Sequence, residues 1–183
     1  MSLRYALLGL ISKKPSTGYE LHRLFKEQVV YFWHAHHTQI YRELAKLEAE
    51  KLVESEHVQQ DAHPDKIIYT LTGRGTQALI HWMLEKPPQS ASIKDDFLLR
   101  TAAFPVIPYE EAVGLLERTR ERERHALELT MQWRDKRFGG KELPDGENIG
   151  EFLTSEFGVR YARSYMEWCE WAIAVLRRLA ERE

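Results

Sequence analysis

The sequence predicts a mainly α-helical protein with one short β-hairpin, and three observations predict it. Apolar residues recur at helical spacing through most of the 183 residues, as at Ile40, Leu44 and Leu47, the i, i+4, i+7 stripe of one helix face. Only two short runs have strand character: VESEHV at 53–58, which alternates, and KIIYTL at 66–71, which is β-branched and aromatic. The segment KPPQSAS at 86–92 then divides the chain. It separates a first part, 1–86, that mixes helices with the two strands from a second part, 93–183, that reads as helix throughout, with 87–92 as linker.

The first part begins with a helix over residues 3–11, whose apolar set is Leu3, Ala6, Leu7, Leu10 and Ile11. Lys13-Lys14-Pro15-Ser16 breaks it. Thr17 is expected to cap a second helix, with Glu20 three residues on completing a capping box, and Leu21, Leu24 and Phe25 facing inward. A linker with two aromatics and three histidines leads to Thr38, the expected N-cap of a third helix that runs to about Lys51. Opposite its apolar stripe stand Gln39, Arg42, Glu43 and Lys46. The two strands follow, joined by the polar, proline-containing QQDAHPD. Thr72-Gly73 opens a fourth helix with Ala78, Leu79, Trp82 and Met83 on its apolar side. Helix, helix, helix, strand, strand, helix is the order of a winged helix-turn-helix domain.

The second part starts with a helix near 94–104, behind Asp95-Asp96, whose charge suits a helix N-terminus. Pro105 and Pro108 bracket a break. Residues 109–137 read as a long helix with Ala112, Leu115, Leu116, Thr119, Ala126, Leu129 and Trp133 on one side and dense charge, ERTRERER, elsewhere. In the last helix Phe152, Val159, Met166, Ile173 and Ala180 fall seven apart, with Ser155, Ala162, Cys169 and Leu176 three after the first four. That is an a/d seam, the pattern by which helices pack on helices. A second apolar strip, Trp168, Trp171, Val175 and Leu179, asks for burial on two sides and so for a homodimer. Phe152, Val159, Ala162, Met166, Cys169, Ile173 and Leu176 are the expected dimerisation residues.

Composition bounds the function. The net charge of −2 splits into eleven Lys+Arg against ten Asp+Glu in residues 1–90 and fifteen against eighteen in 91–183. Any nucleic-acid contact must therefore rest on local placement of charge rather than on a basic surface. No apolar run approaches the length of a membrane span, and the N-terminus reads as a structural helix, not a signal peptide. The single cysteine, Cys169, excludes an intramolecular disulfide and fits a cytoplasmic location. No phosphate loop, nucleophile elbow or carboxylate pair stands out. Gly73-x-Gly75 reads as capping and turn chemistry, so the chain is not expected to be an enzyme.

The segments YALLGLI, TGYEL, FWHAHHTQIYRELAKLEAEKLV, IYTLTGRG, KDDFLLR and YMEWCEWAIAVL, in this order and spacing, resemble the PadR-like transcriptional regulators over nearly the whole chain, especially those responding to phenolic acids. The resemblance implies a homodimer with an N-terminal winged helix-turn-helix domain and a C-terminal all-helical dimerisation domain. It also implies repression at a pseudo-palindromic double-stranded DNA operator, relieved by a small aromatic acid effector, with no other cofactor. Arg42 stands where the family often has proline after the IY pair, which implies a changed helix start or an added phosphate contact.

On this reading Thr38, Gln39, Tyr41, Arg42 and Lys46 face DNA. Gln can pair with adenine bidentately and Arg with guanine or phosphate. Thr17 and Tyr19, at the start of the preceding helix, would hold a phosphate, and His63 and Lys66 in the wing would approach the backbone or minor groove. Phe32, Trp33, His36, Asp96, Phe97, Arg100, Tyr165, Trp168 and Trp171 would line an effector cavity, with flat apolar walls and a cation or donor for a carboxylate. Arg100 or a histidine would take the carboxylate, and residues 32–34 would touch effector and third helix together. His34, His36 and His37 could instead bind zinc or copper. No second cysteine or carboxylate pattern completes such a site, so no metal is expected, and the histidines would add some pH dependence. The alternatives are a winged-helix regulator of metal or hydrophobic drugs and a module that binds protein instead of DNA.

Overall fold

The computed structural model describes residues 2–28, 35–59, 65–88, 94–140 and 143–182. The chain folds as two compact units, Met1–Ser90 and Ala91–Glu183.

In the first unit the elements run α1 (Ser2–Ile11), β1 (Ser16–Thr17), α2 (Gly18–Gln28), α3 (His37–Ala49), β2 (Val53–Val58), β3 (Lys66–Leu71) and α4 (Gly73–Glu85). The sheet is antiparallel in the order β1-β3-β2, with Val53 opposite Leu71 and Val58 opposite Lys66. The expected hairpin is there, and β1 adds a third strand by pairing Ser16 with Tyr69 and Thr17 with Ile68. Two residues are too short for alternation to show, which is why the sequence reads only as a break before a helix cap.

The core draws one stripe from each element. Leu7, Leu8 and Ile11 of α1, Leu21 and Phe25 of α2, Ile40, Leu44 and Leu47 of α3, and Leu79 of α4 are all buried, together with Val53 and Tyr69 of the sheet. Burying one such side chain contributes roughly 1.5–3 kcal/mol, so the stripe on α3 is enough to hold that helix against α1 and α2. Arg4 of α1 adds an ion pair with Glu50 at 2.7 Å and lies 3.6 Å from Glu43. Trp82 of α4 stacks on Tyr5 of α1, ring centroids 4.7 Å apart. Met83 is 56% exposed and does not join the apolar side of α4 expected for it, because Ala78, Leu79 and Trp82 already cover α1.

Two helix ends differ from expectation. Helix α3 begins one residue before Thr38, with His36 as its cap: the Gln39 side chain accepts from the His36 amide at 2.9 Å, and the Gln39 amide donates to the His36 carbonyl. A glutamine three residues into the helix supplies the returning half of a capping box even where the cap is not Ser or Thr. At the other end α3 stops at Ala49, and Lys51 takes a left-handed conformation with φ 59°. The Leu52 amide then reaches back to the Leu47 carbonyl at 2.8 Å, closing the helix as a Schellman motif. A side chain in that conformation costs about 1 kcal/mol, so Lys51→Gly should raise the stability of the first unit by about that much. Denaturant titration checks this: an unchanged or lower midpoint contradicts it.

In the second unit the elements are α5 (Asp96–Ala102), a 3-10 turn (Phe104–Val106), α6 (Tyr109–Phe138), a second 3-10 turn (Gly146–Asn148) and α7 (Ile149–Ala180). Asp95 caps α5 by accepting from the amides of Phe97 and Leu98, and the prolines fall at the break, as expected. Helices α6 and α7 pack antiparallel along their lengths. Arg134 donates to the Phe152 carbonyl and to Ser155, pairs with Glu156 at 3.1 Å, and lies over the Phe152 ring. Arg137 meets the buried carboxylate of Glu151 at 3.1 Å, and Arg177 binds Glu117 at 2.8 Å nearer the other end.

This hairpin changes the meaning of the α7 seam. Cys169 and Ile173 share a buried cluster with Ala112 and Leu116 of α6, and Phe152 packs edge-on against Phe138. Val159 and Ala162 are buried as well, with Met166 and Leu176 half-buried. The seven residues expected to form the dimer contact are thus largely covered within one chain, by α6. What α7 leaves bare is a different set: Leu153, Phe157, Tyr161 and Trp171 are all more than 40% exposed. On α6, Ala126 and Leu129 are exposed too, contrary to the apolar side expected for them.

Candidate functional site

In the first unit α2 and α3 bring the expected polar face together. Thr38, Gln39, Arg42 and Lys46 are all exposed on α3. Among the described residues Arg42 has no bonding partner, so its guanidinium is free for a ligand. Lys46 lies 3.7 Å from Glu43, which lowers the charge it offers. Gln39 keeps its amide NH2 available, while its oxygen is committed to the helix cap at His36.

Tyr41 is a hinge of this surface. Its ring lies against Gly18 at the start of α2, where an added Cβ would stand 2.7 Å from the ring carbons. His37 flanks it at 4.4 Å and touches His22 edge-on at 5.1 Å. Tyr41 therefore couples the two helices of the helix-turn-helix while staying partly exposed. Tyr19 is 67% exposed at the same edge.

Thr17 makes the capping box expected of it. Its amide and hydroxyl donate to the Glu20 carboxylate at 2.8 and 2.9 Å, and its hydroxyl accepts from the Glu20 amide. The bond from the Thr17 amide holds the Glu20 carboxyl below the usual carboxylate range. The expected cap thus commits the Thr17 amide and hydroxyl to Glu20, at the helix start where a phosphate contact was also expected. In the wing, Lys66 is half-buried at the first position of β3, and His63 lies outside the described residues.

The expected effector residues divide. Phe32, Trp33 and the neighbouring His34 lie outside the described residues, and His36 is exposed in the first unit. In the second unit Phe97, Tyr165 and Trp168 come together, with Trp168 6.3 Å from Phe97 and 5.4 Å from Tyr165. The Tyr165 hydroxyl donates to Asp95 at 2.8 Å, and burial followed by that bond pushes its pKa well up. Asp96 and Arg100 pair with each other at 2.7 Å, so Arg100 already has a carboxylate. Trp171 sits apart, in an apolar groove of about 450 Å³ with Phe104, Pro105, Ile107 and Val175.

A second cavity, of about 580 Å³, combines Phe97, Asp95, Asp96 and Arg100 with residues not expected at a site: Lys94, Leu115 and Thr119, the last two read only as the apolar side of α6, and Arg118 and Arg122. Leu115, Arg118, Thr119 and Arg122 are spaced three, four and seven apart on α6, and the charge run hides the two arginines among them. Among the described residues no group of three or more His, Cys, Asp or Glu is placed to hold a metal ion. Nor, among those residues, is any helix long and apolar enough to cross a membrane.

Two helices joined at Tyr41, a three-stranded sheet with a β2–β3 wing, and an uncovered polar face on α3 define a winged helix-turn-helix protein of the regulator class. Residues 7–81 match the Transcriptional regulator PadR-like family, and residues 93–177 match the Virulence activator alpha C-term family. The first unit thus carries a PadR-like transcriptional regulator domain. It is 29% identical to the negative transcriptional regulator PadR of Bacillus subtilis, over 95% of this chain and 97% of that one. It is also similar to the crystal structure of Bacillus subtilis PadR with operator DNA, at TM-score 0.85 and 28% identity over 96% of this chain and 99% of that chain. The same protein with p-coumaric acid matches at TM-score 0.79 and 28% identity, covering 97% and 99%. These relatives are regulators, not enzymes.

Proposed function

We propose that this protein is a homodimeric, cytoplasmic DNA-binding repressor that leaves a pseudo-palindromic operator when a small aromatic acid binds. The observation that carries the reading is a likeness spanning both units to one relative crystallised with operator DNA and with p-coumaric acid. The polar face of α3 supports the DNA half. Arg42 and the Gln39 amide are exposed donors on a helix whose other side is fully buried, the arrangement a major-groove reader needs. The exposed Leu153, Phe157 and Tyr161 on α7 offer the dimer a surface that the seam residues do not. The effector acts by binding one arrangement of the dimer more tightly than the DNA-bound one, since equal binding would shift nothing.

The apolar groove at Trp171 favours a second reading, in which the signal is an uncharged hydrophobic compound. Tryptophan fluorescence separates the two. Titration with p-coumarate, ferulate and benzoate should quench emission and release labelled operator DNA over the same concentration range. Release by uncharged hydrophobic compounds alone would replace the acid with the second reading.

A further inference from the structure

We propose that Arg4 of α1 sets the charge that α3 offers to DNA, by holding Glu43 so that its carboxylate does not cancel Lys46. On the DNA-binding reading above, which this deepens, Arg4 is a positioning residue: it acts through Glu43 and does not touch DNA. The carboxylate of Glu43 is shared between two cations. Its Oε1 lies 3.6 Å from the Arg4 Nε, and its Oε2 lies 3.7 Å from the Lys46 Nζ. Glu43 thus stands between a cation on α1 and one on the exposed face of α3. The Arg4 Nη2 in turn meets Glu50, just past the end of α3, at 2.7 Å.

Burial decides which cation holds Glu43. The Glu43 side chain is 18% exposed, while that of Lys46 is 56% exposed. The Arg4 Nε and Nη2 are both buried, so among the described residues Glu43 and Glu50 are what offsets their charge. The contact with Glu50 raises the Arg4 guanidinium above its ordinary pKa. Charges shielded from water attract more strongly at equal distance, so Arg4 holds Glu43 harder than solvated Lys46 does. Charge balance gives the consequence. Arg4 and Lys46 together match Glu43 and Glu50, and without Arg4 the same cluster is left with one net negative charge. That charge would sit on a helix whose exposed face carries Arg42 and Lys46, and Glu43 would be free to give its whole carboxylate to Lys46. An uncompensated anion within a Debye length of the DNA, about 8 Å at physiological salt, subtracts from the field that gathers phosphate.

The test is a double-mutant cycle on the full chain, read by anisotropy of a labelled duplex that wild type selects from a random pool. Arg4→Gln should weaken binding on the order of 10-fold at about 50 mM salt. Its plot of log affinity against log salt should be shallower by about one, as for the loss of one phosphate-facing cation. Arg4→Gln combined with Glu43→Gln removes the anion together with its partner. That protein should bind within about 2-fold of wild type, even though it melts as low as Arg4→Gln because the Glu50 pair is still broken. Glu43→Gln alone, with Arg4 in place, should bind several-fold tighter than wild type. Wild-type affinity in Arg4→Gln, or equal losses in the single and double variants, would overturn the inference, because Arg4 would then serve only the fold. Should Arg4→Gln unfold at the assay temperature, Glu43→Gln decides alone: tighter binding upholds the inference, and unchanged or weaker binding overturns it. A wild type that binds no duplex would overturn the DNA-binding reading and the inference with it.

Discussion

Replacing Gly75 by alanine should unfold the first unit at temperatures where the wild type is fully folded. Gly75 lies in the first turn of α4, and an added Cβ would stand 2.0 Å from the Leu52 carbonyl oxygen and 2.7 Å from the Leu71 Cδ1. The leucine side chain could turn away. The carbonyl oxygen cannot, because it is held from three sides: it accepts from the Thr72 amide at 3.2 Å and the Thr72 hydroxyl at 3.0 Å, and Leu52 itself closes α3. The clash would separate α4 from the α3–β2 turn, so the cost is that of severe overpacking, roughly 3 kcal/mol or more. In a unit of this size that is a fall of about 12 °C or more in melting temperature. Circular dichroism melting of the full chain checks it, and a transition within about 2 °C of wild type would show that the contact relaxes freely.

The second large effect is on DNA. Arg42→Ala should lower operator affinity roughly 5- to 150-fold, the value of one good side-chain contact, with no change in stability, because Arg42 is exposed and bonds nothing within the described residues. Gln39 has two duties, and substitutions separate them. Gln39→Ala removes both the cap bond to His36 and the amide donor, so it should cost about 1 kcal/mol of stability as well as affinity. Gln39→Glu keeps an oxygen acceptor for the cap and places negative charge near the helix N-terminus, where it is favourable. It should melt no lower than wild type yet lose operator binding, since a carboxylate would face phosphate. Gel-shift and thermal melting on the three variants check this, and a Gln39→Glu protein that binds DNA as wild type does would remove Gln39 from the interface.

Much of this was legible in the sequence for identifiable reasons. The stripe Ile40, Leu44, Leu47 located α3, and Thr72 and Asp95 announced their helices, because periodicity and capping are local properties. What escaped was non-local. Whether the α7 seam meets a second chain or the same one depends on α6, and a heptad pattern is identical in both cases. The same limit applied to the cavity. Thr119 was legible on the apolar side of α6 and is buried, but Arg118 sits in a charge run that looks like a solvated face, and only the positions of α5 and α6 bring it to a cavity. Arg100 could have been set aside sooner, because Asp96 stands four residues before it on one helix, at ion-pair spacing. Glycine 75 was legible as a helix-start residue but not as one side of a 2.0 Å approach.

An α3 that reads DNA in a two-fold symmetric dimer requires a symmetric operator. Selection of bound duplexes from a random pool, followed by anisotropy titration of the winner, tests it most directly. The expected winner is an inverted repeat with half-site centres about 10 base pairs, or a multiple of that, apart. Its affinity should fall roughly 100-fold between about 50 and 200 mM salt, and p-coumarate should release the duplex. Recovery of no symmetric sequence, or binding indifferent to both sequence and salt, would contradict it.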